Sequence, residues 1–179
     1  MTVPALGTLD WRPAADHPEL LAAPVREAVA ALGLDCRVAA IDPELADTAA
    51  FCAAYEVAPD ASANCVVVAG RRGQTTSTAA CLVLATDRAD VNKAVWRQLD
   101  VRTISFAPME DAVRQTGMEY GGITPVGLPE AWPLLVDDAV AGASWAVVGS
   151  GIRGSKLAVR GADLARLPGA DVLTLRQCG

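Results

Sequence analysis

Short apolar runs rich in β-branched residues recur along the chain, and each has the length of a strand rather than of a helix. They lie at residues 37–41, 65–69, 79–86, 103–106, 134–136, 145–148, 156–159 and 172–175. The runs at 65–69 and 79–86 flank a polar segment that contains Gly-Arg-Arg-Gly. That arrangement predicts a β-hairpin.

Alanine-rich segments with helical spacing are interspersed among these strands. The first is expected to run from a cap at Asp16 to Leu32, with Gly33 ending it and Pro24 kinking or restarting it. Further helices are predicted at residues 44–55, 90–99 and 108–116. Because strands often follow one another directly, the pattern favours a mixed, mostly antiparallel α+β sheet over a doubly wound fold.

A chain of 179 residues has the size of one domain, which buries enough apolar surface to fold without disulfides or metals. Residues 1–34 are interpreted as an N-terminal arm and helix packed on a main domain of residues 35–179. The five cysteines (Cys36, Cys52, Cys65, Cys81 and Cys178) are odd in number and lack CxxC spacing. With no signal peptide evident, reduced thiols and a cytoplasmic location are expected.

Charge and hydropathy exclude several classes of function. The formal net charge is −6, and Lys93 and Lys156 are the only lysines. An acidic chain is not expected to bind DNA, because affinity for duplexes comes from neutralising phosphates. The net charge does not argue against a small pocket that binds one end of an RNA. No apolar run approaches the length of a membrane span, and neither a metal site nor a cofactor is predicted.

The segment Gly149–Gly154 matches the pattern GxGxxG after a predicted strand. A dinucleotide site would need a helix to begin at the third glycine, followed by a βαβ unit. The residues after Gly154 have the pattern of a strand instead. A glycine-rich hairpin is therefore the preferred interpretation.

Other candidate groups have simpler explanations. His17, the only histidine, lies beside a proline near the first helix and is interpreted as a surface residue rather than a catalytic base. Arg71 and Arg72 fit a solvated hairpin tip. Asp137 and Asp138 could form an acid–base pair, but adjacent strand residues point to opposite faces. A helix cap is at least as good an interpretation for one of them.

The loop Gly121–Pro125 is the strongest candidate for a working site. Its two glycines can take positive φ and let a ligand approach the main chain. Pro125 stiffens the exit of the loop, and Thr124 supplies a hydroxyl. Taken alone, the loop fits a tight structural turn equally well.

Several segments together carry a resemblance to a known family. They are Ser105–Gly117, Gly121–Gly127, Val136-Asp137 and Gly149–Gly154, in that order and with matching spacing. The chain resembles the YbaK/ProX-type aminoacyl-tRNA deacylases from about residue 35 to residue 175. These proteins are relatives of the editing domain inserted in bacterial prolyl-tRNA synthetases. The resemblance implies an α+β fold with a barrel-like sheet, surrounded by helices.

It also implies a pocket for the aminoacylated 3′ end of a tRNA, with no cofactor. Gly121, Gly122 and Thr124 would contact the substrate and the developing oxyanion. Asp137 would hold the α-amino group. The remaining pocket residues would be Ile123, Pro125, Gly149, Ser150 and Gly151.

The family's pocket lysine is missing from its expected place. Asn64 occupies that position, and Cys65 follows where the family has a hydroxyl residue. Asparagine can orient a carbonyl but carries no charge; Lys156 is the candidate substitute. Two hypotheses follow: a trans-editing hydrolase that cleaves mischarged aminoacyl-tRNA, or a catalytically impaired domain that binds an aminoacyl-adenosine-like ligand or a protein partner.

Overall fold

The computed structural model describes residues 6–177, so residues 1–5 of the predicted arm and Cys178 lie outside it. The strands are β1 (Arg12–Pro13), β2 (Arg37–Ala40), β3 (Ala63–Arg72), β4 (Thr75–Leu84), β5 (Thr103–Phe106), β6 (Leu134–Asp137), β7 (Ala146–Gly149), β8 (Ser155–Val159) and β9 (Ala170–Leu173). The α-helices are α1 (Ala23–Leu32), α2 (Thr48–Tyr55), α3 (Trp96–Leu99), α4 (Met109–Thr116), α5 (Asp138–Ala141) and α6 (Gly161–Leu164).

The strands form two sheets, with the orders β1-β2-β8-β7 and β5-β3-β4-β6-β9. The first sheet is antiparallel throughout, and the second pairs β4 with β6 and β6 with β9 in parallel. The mixed, mostly antiparallel α+β prediction is therefore confirmed. The barrel-like closure is not seen. Within residues 6–177 the strands form two sheets that are linked by one isolated bridge, between Ser62 and Val147.

The main core lies between the two sheets and beneath α1. Apolar side chains of α1, β4, β6, β7 and β8 meet there, including Val25, Leu82 and Leu157. The outer face of the first sheet is covered by α2, through Phe51, and the outer face of the second by the helical turns that hold Val95. These layers bury most of the sheet surface and fix where the strand edges meet.

The first helix begins later than its pattern predicts. Ala14–Asp16 and Pro18–Leu20 form single 3₁₀ turns, and the α-helix starts only at Ala23. Asp16 therefore caps no α-helix, while Pro24 occupies the first turn, where its missing N–H costs nothing. The predicted end is confirmed, since Gly33 takes a left-handed conformation with φ 57°.

Two hairpins agree with the sequence. β3 and β4 pair along their whole length around a turn at residues 73–74. β7 and β8 pair as an antiparallel hairpin around the loop Gly149–Gly154, with Gly149 opposite Lys156. This connection confirms the hairpin interpretation of the GxGxxG segment, because no helix begins at its third glycine. No helix within residues 6–177 is long and apolar enough to cross a membrane.

Candidate functional site

A cavity of about 470 Å³ opens where the edge of β3 faces the hairpin of β7 and β8. Its walls come from the first half of β3, the loop around Gly121, the turn before α2 and the start of α4. Of the predicted site residues, six line this cavity: Asn64, Cys65, Gly121, Ile123, Gly149 and Lys156. Three segments far apart in sequence are thus brought to one place.

The outward edge of β3 is unpaired where it borders the cavity. β5 covers this edge only from Val68 onward, with Val67 O accepting one further bond from Ala107 N–H at 2.9 Å. In an antiparallel ladder the main-chain groups of alternate residues point to opposite neighbours. Since Ser62 O faces β4, accepting from Ala85 N–H, the N–H and C=O of Cys65 face outward. Neither group is bonded within residues 6–177.

The two glycine-rich loops touch through their main chains. Gly151 N–H donates to Gly122 O at 2.7 Å, and a side chain on Gly122 would collide with Ile152 main-chain atoms at 2.8 Å. A Cβ on Gly149 would lie 2.5 Å from Gly122 O and 2.8 Å from Ile123 O. Glycine is therefore required at both positions by close approach of backbone to backbone.

Arg153 ties the rim of the cavity together. Its guanidinium donates to Tyr120 O at 3.2 Å and to Pro43 O at 3.0 Å. The main-chain N–H of Arg153 donates to the Glu119 carboxylate at 2.8 Å. The guanidinium also lies 5.8 Å from the centre of the Tyr120 ring. These contacts hold the residues around Gly121 in one arrangement.

Asn64 is oriented by a neighbouring hydroxyl. Thr48, the first residue of α2, donates from Oγ1 to Asn64 Oδ1 at 2.7 Å, which leaves the side-chain N–H groups of Asn64 as donors. Both residues also line a second cavity of about 680 Å³, whose walls include Cys52, Val57 and Pro59. The Thr48–Asn64 pair therefore stands between the two cavities.

Lys156 is the buried cation of the site. Only 8% of its surface is exposed, its ammonium donates to Ala46 O at 3.0 Å, and it lies 5.2 Å from the centre of the Phe51 ring. Burial lowers the pKa of Lys156, and the nearby Asp47 carboxylate partly opposes that shift. A lysine on β8 thus contributes to the wall of the same cavity as Asn64.

The environment of Cys65 disfavours the reactive form of its thiol. Burial raises the pKa of this thiol to about 12, which disfavours the thiolate at neutral pH. Burial also raises the pKa of the Cys36 and Cys81 thiols. No three His, Cys, Asp or Glu side chains in the described part of the chain come together as metal ligands.

Part of the predicted loop chemistry needs correction. The N–H of Gly122 donates to Glu119 O at 2.9 Å and is not free for an oxyanion. The amides of Gly121, Ile123 and Thr124 donate to no group of residues 6–177. Thr124 and Pro125 are buried behind the cavity wall, and the Thr124 hydroxyl has no hydrogen-bond partner within the described residues.

Ser150 and Gly151 also serve the fold rather than the cavity. The Ser150 hydroxyl donates to Ser155 O at 3.1 Å and accepts from Ser155 Oγ at 2.7 Å, so it is used inside the hairpin. Gly151 has φ 87° and packs against Ala22 and Val25 of the first helical region. Neither residue lines the cavity; each instead holds Gly149 in place.

Asp137, predicted to hold a substrate amino group, is bonded within the fold instead. Its buried carboxylate accepts from the N–H groups of Ala139, Leu175 and Arg176 at 2.8–3.1 Å, and from the Arg176 guanidinium at 2.7 Å. Asp137 caps α5, which was the structural alternative, and it fastens the segment after β9. It lines neither of the two cavities at Asn64.

Replacing Asp137 with asparagine is expected to lower the free energy of unfolding by about 2–4 kcal/mol, because an amide cannot accept all four bonds in a buried site. Urea unfolding measures the change. Asp138→Asn is the matched control: its carboxylate also contacts Arg176 but is half exposed, so a much smaller loss is expected. Equal losses for the two variants would contradict the assigned role.

Several cavity residues were not predicted from the sequence, among them Asp47, Thr48, Phe106 and Met109. An aspartate before an alanine-rich helix is a recognisable cap, and Asp47 caps α2 by accepting from two helix N–H groups. The capped turn borders the cavity. Phe106 and Met109 are apolar yet 68% and 45% exposed at the cavity mouth, and only the tertiary structure reveals that exposure.

Together, the fold and the cavity define an α+β domain with an open cavity bordered by two glycine-rich loops. The sequence profile of the aminoacyl-tRNA editing domain family matches residues 42–167, which include every wall of the cavity. The chain belongs to this family, as the resemblance predicted.

Solved structures share the fold. A candidate trans-editing enzyme for prolyl tRNA synthetase is 22% identical with a TM-score of 0.73, over 88% of this chain and 97% of that one. A hypothetical protein is 21% identical with a TM-score of 0.76, over 86% and 99%. A candidate signal transduction protein from Marinobacter aquaeolei VT8 is 16% identical with a TM-score of 0.58, over 87% and 30%. A comparison with curated proteins finds no match.

Proposed function

We propose that this chain is a trans-editing hydrolase that cleaves the ester joining a wrong amino acid to the 3′ end of a tRNA. One observation carries the proposal. The family profile spans the cavity, and the cavity gathers the loop around Gly121, the hairpin at Gly149 and the strand position at Asn64. The negative net charge disfavours a groove that binds a long nucleic acid but is compatible with a pocket for one end of an RNA.

In the proposed reaction, the oxygen of a water bonds to the ester carbonyl carbon. The bond between that carbon and the ribose oxygen breaks, and a proton from the water passes to the ribose oxygen. The products are a free amino acid and an uncharged tRNA. Gly121 and Ile123 line the cavity, and their unpaired amides are the proposed donors to the developing oxyanion. Main-chain donors fixed in place can supply a large part of such catalysis.

Lys156 is proposed to supply the positive charge that Asn64 lacks. Its ammonium is bonded to Ala46 O in the cavity wall and keeps further N–H donors for a phosphate or an ester oxygen. Asn64, oriented by Thr48, is proposed to donate its side-chain N–H to the substrate. In this proposal, Lys156 supplies the charge and Asn64 the hydrogen bond that a single pocket lysine supplies in the family.

The second candidate function is a binding domain that keeps the cavity without hydrolysis. Asn64 favours it, because a neutral amide at the lysine position weakens electrostatic stabilisation of an oxyanion. Such a domain would hold an aminoacyl-adenosine-like ligand without turnover.

Single-turnover hydrolysis of a panel of mischarged tRNAs tests the proposal, with the wild type beside Asn64→Lys and an Asn64→Ala control. Selective deacylation by the wild type is expected, with a decrease of about 10-fold in Asn64→Ala from the lost substrate hydrogen bond. A wild type that is inert on every tRNA, with activity only in Asn64→Lys, would overturn the hydrolase and favour the binding domain.

A further inference from the structure

The outward edge of β3 contains a gap centred on one residue, Cys65. At one end the bridge between Ser62 and Val147 brings β7 against this strand, and at the other end Val67 bonds to the residue after β5. Between these contacts the N–H and C=O of Cys65 point into the cavity. They form a donor and an acceptor held at a fixed spacing by the ladder to β4.

A main-chain pair of this kind is completed in a sheet by one residue of the next strand, which exchanges two hydrogen bonds with it. An aminoacyl ester carries the same two groups in the same order. Its α-ammonium is a donor and its carbonyl oxygen is an acceptor, with a single α-carbon between them. The substrate class of the proposed function therefore has the main-chain pattern that the gap lacks.

We propose that the aminoacyl group pairs with Cys65 as a strand one residue long. The α-ammonium donates to Cys65 O, and Cys65 N–H donates to the ester carbonyl oxygen. This inference rests on the proposed function and adds the contact that selects an α-amino acid. It also replaces Asp137, whose carboxylate is used by the fold.

The surroundings of the gap fit a single aminoacyl unit. A protein strand would need a continuous open edge, and β7 and β5 close the edge on both sides. The small side chains of Ala63 and Ala112 line the same cavity, leaving room for a short amino-acid side chain. Asp47 and Lys156 are the charged cavity residues, one for each sign of charge on an aminoacyl nucleotide.

Cys65→Pro tests the N–H contact. Proline removes that one donor, which takes no part in the ladder to β4, and proline is tolerated on strands where the N–H faces outward. The control Cys65→Ala keeps the N–H and loses only the thiol. In hydrolysis of a mischarged tRNA, kcat/KM is expected to fall at least about 10-fold in Cys65→Pro relative to Cys65→Ala.

A binding measurement on the wild type covers the case in which the proline variant does not fold. The probe is 3′-alanylamino-3′-deoxyadenosine, a non-hydrolysable amide, and its partner is the propionyl compound without the amino group. The Cys65 amide proton is expected to move downfield in a ¹⁵N–¹H spectrum as the alanyl probe binds. Calorimetry is expected to show about 10-fold weaker binding of the propionyl compound.

The outcomes separate the pairing from the proposed function. A wild type that hydrolyses mischarged tRNA, together with equal activity of Cys65→Pro and Cys65→Ala, would overturn the pairing and leave the hydrolase standing. An unmoved Cys65 amide with equal binding of both probes would overturn it as well. A wild type without hydrolysis whose Cys65 amide responds to the alanyl probe would support the pairing within a binding domain.

Discussion

Replacing Gly149 with alanine is expected to lower kcat/KM for ester hydrolysis about 100-fold, because the new methyl group would displace the loop around Gly121. The added Cβ would lie 2.5 Å from Gly122 O and 2.8 Å from Ile123 O, and both contacts are with main chain that cannot rotate away. A shift of about 1 Å in catalytic groups can cost two orders of magnitude in rate. Crowding is also expected to lower the free energy of unfolding by about 1–3 kcal/mol.

Gly154→Ala is the control, because it adds the same methyl group to the same hairpin loop. The nearest atom to its Cβ is Pro43 Cγ at 3.9 Å, an ordinary van der Waals contact. Its activity and stability should stay close to those of the wild type. Single-turnover hydrolysis and urea unfolding of both variants make the comparison. Full activity in Gly149→Ala would show that the loop contact does not position the catalytic groups.

Replacing Lys156 with methionine is expected to remove most of the activity, by about 100-fold, without weakening the fold. Methionine keeps the length and apolar stem of the side chain but carries no charge. The fold gains little from the ammonium, because burial lowers the pKa of Lys156 and the charged form is therefore less favourable in the folded than in the unfolded chain. Apolar replacements of buried charges are often neutral or stabilising.

The pH dependence gives a second measure of the same residue. The unfolded chain keeps the Lys156 proton at pH values where the folded protein loses it, so wild-type stability should rise between the lowered pKa and the ordinary lysine pKa. Activity should fall over the same range as the ammonium is lost. Thermal unfolding and hydrolysis across pH measure both. A large loss of stability in Lys156→Met would assign this lysine to the fold instead, and Lys93→Met serves as the exposed control.

Sequence patterns predicted the strands and hairpins better than the start of the first helix. The strand at 103–106 and the hairpins were predictable because β-branched runs and intervening glycines act over short distances. The start of α1 was not, because Pro18 and Asp16 imitate a helix start while forming only 3₁₀ turns. The separation into two sheets depends on which strand edges meet, and residue pattern alone does not encode that choice.

For the candidate site, the sequence pointed to loops that meet at one cavity but did not give the direction of each group. Gly121, Gly149 and Lys156 line one cavity, as the hypotheses required. The N–H of Gly122 is bonded to Glu119 O in a local turn, and the carboxylate of Asp137 is bonded to residues after β9. A motif specifies residue types, whereas hydrogen-bond partners depend on the geometry of the folded chain. Asn64 and Cys65 were identifiable by position, but the open edge beside them was not.

The contacts that build the cavity have a consequence for the order of folding. Arg153 bonds to Pro43 and Lys156 bonds to Ala46, and each pair is separated by 110 residues in sequence. Contacts between such distant residues close large loops and slow folding. During synthesis, neither contact can form until residues 153 and 156 have emerged, although α2 and the β3–β4 hairpin emerge much earlier. A growing chain can therefore form these elements well before the contacts that close the cavity.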